Sequence, residues 1–403
     1  MGLISSRKRD WWTILIYFAF YCVKQKKRPA SQIIWRLISG QLNTELEEEA
    51  RQQTSEFYRS WLPRRYLLRV KFISYQSLTA IYKRILQFRS AEMCRHDHQS
   101  TRGPKALVIR TGALGDVIMS TALIAELHDR HAGDIQIDVA TNFPEVFYKN
   151  PRVRSAQPIK ETQSLKVHYD LILDLDNVYE QFHDQHPVRT YSRYLFGRPV
   201  ERQLELYNSN GDLSSAIKKL GELTEGKDIN LFDYVVLHSR YEHSQRFRGV
   251  EPSSWRRFVR DVFVNAPRQT LIYVGSADLD ECSLIDAHDV LDARSRLTLA
   301  ETTALIDHAK VFIGTDAGPL HIAAATKTPI VSFFTHVPSN CREPLGRGKV
   351  PFVAIEPDLE CKGCTARQPF PFGFECKLGE PICSGSFGIE RAVKLTRELL
   401  KLG

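Results

Sequence analysis

From residue 104 onward the chain alternates short, wholly apolar runs with longer stretches whose apolar positions recur at helical spacing. Ala106–Arg110 (ALVIR) is the first such run. A continuous apolar run of this length reads as a parallel strand buried on both faces. A glycine-containing turn follows, then a predicted helix over Val117–Arg130, a strand over Ile135–Ala140 and another over Asp170–Asp174. The rhythm returns after residue 230. Strand Tyr234–His238 precedes helix Ser253–Val264, and strand Thr270–Val274 runs into Gly275. Strand Val311–Gly314 leads to a helix near Leu320, then to strand Ile330–Phe334, and an amphipathic helix near Ile389–Leu400 ends the chain. Strand and helix in alternation predict an α/β chain with two doubly wound lobes facing one another. The first lobe spans residues 101–228 and the second 229–403. Ligand is expected outside the carboxyl ends of the strands, in the cleft.

Residues 1–100 have a different texture. Aromatic and aliphatic residues are interleaved with Arg and Lys, and the apolar positions of Ile81–Phe88 recur at helical spacing. This stretch holds 18 Lys/Arg against 8 Asp/Glu, whereas the whole chain has 55 against 47. The basic excess therefore belongs to a mainly helical N-terminal extension. Two readings stand: an interfacial segment on anionic lipid, or a helical cap on the lobes. The apolar run Trp11–Val23 is 13 residues long, short of the roughly 20 that a spanning helix needs. No cleavage site of a secretory signal follows it. The opening MGLISS also fits a myristoylation pattern. No nucleic-acid recognition motif accompanies the basic residues, so nucleic acid is not expected as a partner.

Chemistry enters at the strand ends. The first strand of the first lobe runs into Arg110-Thr111-Gly112-Ala113-Leu114-Gly115-Asp116-Val117. Glycines between strand and helix let backbone approach a ligand closely, and a helix N-terminus offers free N–H groups to an anion. The Gly-x-x-Gly spacing, with no third glycine, is not a dinucleotide fingerprint. Asp116 has two readings. It is a first-turn carboxylate satisfying helix N–H groups, or a general base that takes the proton of a hydroxyl nucleophile.

The second lobe carries Gly314-Thr315-Asp316-Ala317-Gly318-Pro319-Leu320-His321-Ile322-Ala323-Ala324-Ala325. Pro319 suits a first helical position. His321, in the first turn, is placed to hydrogen-bond a phosphate or ribose.

The pattern Asp-x-Gly-Pro-x-His-x-Ala-Ala-Ala, followed by Thr328-Pro329-Ile330-Val331, resembles the donor-site signature of glycosyltransferase family 9. Gly-x-Leu-Gly-Asp-Val-Ile in the first lobe resembles the same family, and the similarity covers roughly residues 104–400. The resemblance implies a GT-B fold of two Rossmann-like lobes, inversion at the anomeric carbon, and ADP-heptose as donor. It places Asp116 at the catalytic base. It places Thr111, Gly112, Gly115, Thr315, Asp316, Gly318, Pro319 and His321 in the donor site. The family has a basic residue in the loop after the first strand of the second lobe. Here Arg246 and Arg248 stand where Lys is usual, and Arg248 is the favoured candidate for gripping the diphosphate. Ser276 and Asp278, after strand Thr270–Val274, correspond to groups near the donor ribose. No catalytic metal is expected. Asp174-Leu175-Asp176 resembles a metal-binding pair of another glycosyltransferase fold, but it ends a strand expected to be buried, so its role reads as structural.

Cys361, Cys364, Cys376 and Cys383 fall within 23 residues. Four thiols led by Cys-x-x-Cys suit a structural zinc or iron, and related protein heptosyltransferases hold iron in such a finger. Unligated thiols or disulfides are the alternatives, and a reducing cytoplasm disfavours disulfides. The leading expectation is a heptosyltransferase acting on a lipopolysaccharide core acceptor at the cytoplasmic face of a bacterial inner membrane. A protein O-heptosyltransferase and a non-catalytic nucleotide- or lipid-binding protein on the same scaffold are the alternatives.

Overall fold

The computed structural model describes residues 103–401, apart from 160–168, 177, 180–183, 225–230, 232, 240–246, 265–268, 278–289, 365–375 and 377. All lie within the compact unit Phe88–Gly403. The expected basic helical extension over residues 1–100 lies outside the described residues, as do Asp278 and Arg246.

The first sheet is built from β1 (Lys105–Ile109), β2 (Gln136–Ala140), β3 (Ser155–Gln157) and β4 (Leu171–Asp174), in the order β3-β2-β1-β4. Every pair is parallel, with Val108 opposite both Val139 and Leu173. Helix α1 (Leu114–Arg130) crosses from β1 to β2. Its residues from Val117 to Ala125 are all buried, as expected of a helix packed between layers. Helix α2 (Pro187–Phe196) follows, begun by Pro187 at its first position and ended by Gly197 in the left-handed region.

β4 departs from the sequence reading. The run Asp170–Asp174 is apolar, yet β4 lies at the sheet edge and Ile172 is 51% exposed. A one-faced edge strand buries alternate side chains only.

The second sheet has six parallel strands in the order β10-β9-β8-β5-β6-β7. They are β5 (Tyr234–Leu237), β6 (Thr270–Tyr273), β7 (Val290–Asp292), β8 (Phe312–Thr315), β9 (Ile330–Phe333) and β10 (Phe352–Ile355). β5, β6, β8 and β9 are buried along their whole length, which is why they read as unbroken apolar runs. Helix α4 (Pro252–Phe263) buries Trp255, Phe258, Val259 and Val262, one face at helical spacing. The last helix, α7 (Ile389–Leu400), packs on it.

Helix α3 (Asn210–Leu223) opens on a reciprocal cap between Ser209 and Asp212. It lies against helix α5 (Leu299–Asp307), where Ser215 and Lys219 both reach Glu301. Helix α6 (Gly318–Ala324) follows β8 and packs on α1, joining the two lobes. Among the described residues no helix is long and apolar enough to cross a membrane.

Candidate active site in the cleft

The cleft centres on the loop between β1 and α1. Thr111 is held by Asp176, which accepts from its N–H at 2.8 Å and from its hydroxyl at 2.5 Å. Asp174 accepts from the N–H of Asp176 at 3.0 Å. The Asp-x-Asp pair thus braces the glycine loop, in keeping with its structural reading.

Asp116 lies in the first turn of α1. Its Oδ2 accepts from the N–H of Ala113 at 3.1 Å, so the capping reading holds. The same carboxylate does more. Tyr179, after β4, donates its hydroxyl to Oδ1 at 2.7 Å. Arg110 pairs with Oδ2 at 3.2 Å. Arg110 is 1% exposed and also pairs with Asp176 at 3.4 Å. Its guanidinium lies 5.3 Å from the centre of the Tyr179 ring. A carboxylate with both oxygens hydrogen-bonded and a guanidinium beside it is held in a fixed orientation, as a proton acceptor must be.

Close packing explains the glycines. A Cβ on Gly112 would lie 2.7 Å from Nη2 of Arg110 and 2.8 Å from Oδ2 of Asp116. A Cβ on Gly115 would lie 2.5 Å from Cδ2 of His321, in the other lobe. Gly318 faces Leu114 in the same way, at 3.1 Å. The two signature loops therefore meet across the cleft.

On the second lobe, Thr315 ends β8, buried, with its hydroxyl 3.4 Å from Nδ1 of His238. The N–H of Asp316 donates to Phe333, and its Oδ1 lies 3.9 Å from Nε2 of His321. Pro319 occupies the start of α6. Burial pushes the pKa of His321 below the ordinary histidine value, against the opposing pull of Asp316 and Asp116. The ring is therefore neutral near pH 7 and can accept or donate one hydrogen bond. Burial likewise lowers His336 to about 3; the charge of Arg248 adds to this and Asp316 opposes it. His336 thus feels both Arg248 and Asp316. Ser276 follows Gly275, whose φ of 124° needs glycine. Among the described residues no hydrogen bond or ion pair ties Ser276 to the Asp116 network.

Two side chains of this constellation were missed from sequence, Tyr179 and Arg342. Arg342 follows the short helical turn Ser339–Cys341 in the second lobe, and its guanidinium lies 5.4 Å from the Tyr179 ring centre. Neither residue sits in a motif.

Cys361, Cys364, Cys376 and Cys383 line one small pocket with Thr335 and His336. Cys383 is pushed up to about 11 by burial, with the other three thiols adding to the rise. The four groups are close enough to feel one another. Among the described residues, however, no cluster of His, Cys, Asp or Glu is drawn into a metal-holding arrangement.

Two facing parallel α/β lobes, with signature loops meeting in the cleft, define a GT-B-like protein. The resemblance read from the motifs extends to a segment match: the family described as glycosyltransferase family 9 (heptosyltransferase) matches residues 285–369. Over 39 residues the chain is 56% identical to lipopolysaccharide heptosyltransferase 3 of Escherichia coli. That alignment covers 10% of this chain and 12% of the relative, well under two thirds of its length. Among solved structures, the E. coli ADP-heptose lps heptosyltransferase II superposes with a TM-score of 0.55 at 14% identity, covering 74% of this chain and 98% of that one. The iron-containing dodecameric glycosyltransferase TibC of enterotoxigenic E. coli superposes with a TM-score of 0.55 at 13% identity, covering 76% of this chain and 78% of that one. At such identities the likeness establishes the fold.

Proposed function

We propose that this chain is an inverting glycosyltransferase that transfers heptose from ADP-heptose to a hydroxyl of a lipopolysaccharide core acceptor. The observation that carries the reading is Asp116. It is fixed by Tyr179, Arg110 and the Ala113 N–H, opposite the Asp316–His321 segment of the other lobe. Asp116 takes the acceptor proton as the hydroxyl attacks the anomeric carbon from the face opposite the diphosphate. A new carbon–oxygen bond forms, the bond to the diphosphate breaks, and its electron pair leaves with ADP. Asp316 and His321 hold the donor, with Thr315 and the glycine turn shaping the pocket. Arg248 stands near enough to His336 for its charge to be felt there, and would add positive charge at the leaving group. Heptose and ADP are supported by the family segment and by the likeness to an ADP-heptose heptosyltransferase. Lipopolysaccharide is supported by the short, highly identical stretch shared with lipopolysaccharide heptosyltransferase 3.

Cys361, Cys364, Cys376 and Cys383 would hold a structural zinc or iron. Their soft thiolate donors and shared pocket fit such an ion. Bound, it would pin the segment beside Thr335 and His336. The basic N-terminal extension would bring the enzyme to the anionic inner face of the membrane.

A thermal-shift panel of ADP, UDP, GDP and their sugars tests the donor. A ligand that binds only the folded state raises its apparent stability. ADP and ADP-heptose are expected to raise the melting temperature, and D316A to lose the rise. Preference for UDP or GDP would remove heptose from the reading. No shift with any nucleotide would leave a non-catalytic scaffold.

A further inference from the structure

We propose that Arg342 is a donor-binding residue that grips the diphosphate of the nucleotide-sugar, an inference that rests on the transferase reading above.

The charges around the cleft motivate it. Asp116 and Asp316 face the cleft from opposite lobes. A diphosphate entering between them adds further negative charge. Arg110 lies close by, but its ion pairs are made with Asp116 and Asp176. Arg342 is placed differently. It reaches from the second lobe onto Tyr179 of the first, so two guanidiniums attend one ring. It donates to the carbonyl of Cys341 at 2.7 Å. Among the described residues no carboxylate lies within ion-pair distance of it. Asp316 and Asp116 stand farther off. Burial works against its charge, and the fields of Asp316, Tyr179 and Asp116 outweigh that cost.

An arginine has five N–H donors in a rigid fork. Here the fork is steadied by a carbonyl and an aromatic face and has no carboxylate on it. Two adjacent phosphate oxygens suit it. Its position selects the donor over the acceptor. It follows β9 at the carboxyl end of the second sheet, beside the Asp316 loop, where nucleotides bind in such sheets. When the anomeric carbon–oxygen bond breaks, the electron pair moves onto the diphosphate and the acceptor proton goes to Asp116. Arg342 then donates hydrogen bonds to the oxygen gaining charge.

The test is calorimetric titration of the full chain with ADP and with AMP, for wild type, R342Q and R342K, with melting curves of the free proteins alongside. The wild type is expected to prefer ADP to AMP. R342Q is expected to bind ADP at least tenfold more weakly, with little change for AMP, and R342K to fall between. Should R342Q fail to fold, R342K decides: it keeps the charge but not the fork, and a several-fold loss for ADP is expected. ADP binding unchanged in a folded R342Q, or in R342K where that variant decides, would overturn the assignment to the donor and leave the transferase reading standing. A wild type that binds neither nucleotide would overturn the ADP-donor reading, and this proposal with it.

Discussion

Tyr179 donates its hydroxyl to Oδ1 of Asp116 across 2.7 Å, from a residue 63 positions farther along the chain. The bond turns a first-turn helix carboxylate into an oriented one. Asp116 can cap α1 through Oδ2 while Oδ1 is aimed by Tyr179.

Replacing Tyr179 by Phe removes that bond and leaves the ring beside the two arginines. A hydrogen bond to a charged group contributes about 1.5–3 kcal/mol, so kcat is expected to fall about tenfold or more. The KM for donor should stay within about twofold, because the hydroxyl serves the base. Steady-state kinetics of Y179F would show this split. An unchanged kcat would remove Tyr179 from the mechanism.

The contact of the two lobes gives a steric prediction. In G115A the added methyl would meet the His321 ring at 2.5 Å, closer than real Cβ atoms come. His321 is buried and cannot simply swing into solvent. Overpacking of this kind costs about 1–3 kcal/mol. The variant should melt at lower temperature and lose nucleotide-induced stabilisation. G221A, at a glycine of α3 with nothing within 4 Å of the added methyl, is the matched control and should do neither.

Glu301 predicts an acid-sensitive step in stability. Burial alone would raise its pKa. Lys219, Ser215 and the Thr298 N–H outweigh burial and hold it down to about 2. A depressed carboxylate stabilises the fold above its unfolded value, and the contribution is lost as pH falls through the folded value. E301Q keeps the cap but loses the charged bonds to Lys219 and Ser215, so it should be less stable than wild type at pH 7 by about 1–2 kcal/mol. The gap should close between about pH 4.5 and pH 2. Denaturant melts across that range would show it, and a gap independent of pH would contradict it.

The cysteine pocket predicts bound metal. Protein purified without chelator should carry about one zinc or iron per chain by mass spectrometry. The double variant C361S/C364S should lose it and melt at lower temperature, with no direct loss of nucleotide specificity. Metal-free wild type of unchanged stability would leave four unligated thiols.

How much of this was legible depended on burial. β5, β6, β8 and β9 are buried on both faces, so each announced itself as an apolar run. β10 reads FVAI, an apolar run that the sequence reading omits, although the strand is mostly half-buried, and β3, with three residues, leaves no such run. α5 carried a readable start in Thr298-x-x-Glu301, a capping box, yet its short apolar stretch hid it. The signature loops were legible because glycine, proline and aspartate at fixed offsets have local physical reasons. Arg110 was visible but read as the tail of a strand. Tyr179 and Arg342 had no local signal. The first lobe's own fold brings Tyr179 to Asp116, and the packing of the second lobe on the first brings Arg342 onto Tyr179.

The most direct test of the account is ADP release from ADP-heptose by wild type and by D116N, each with and without a deacylated lipopolysaccharide core acceptor. The wild type is expected to release ADP in an acceptor-dependent way. D116N should do so about 100- to 10,000-fold more slowly, the range of lost general-base catalysis, while still binding ADP. Release by D116N at the wild-type rate would contradict Asp116 as the base. A wild type that releases no ADP with this acceptor would contradict the proposed transfer to the lipopolysaccharide core.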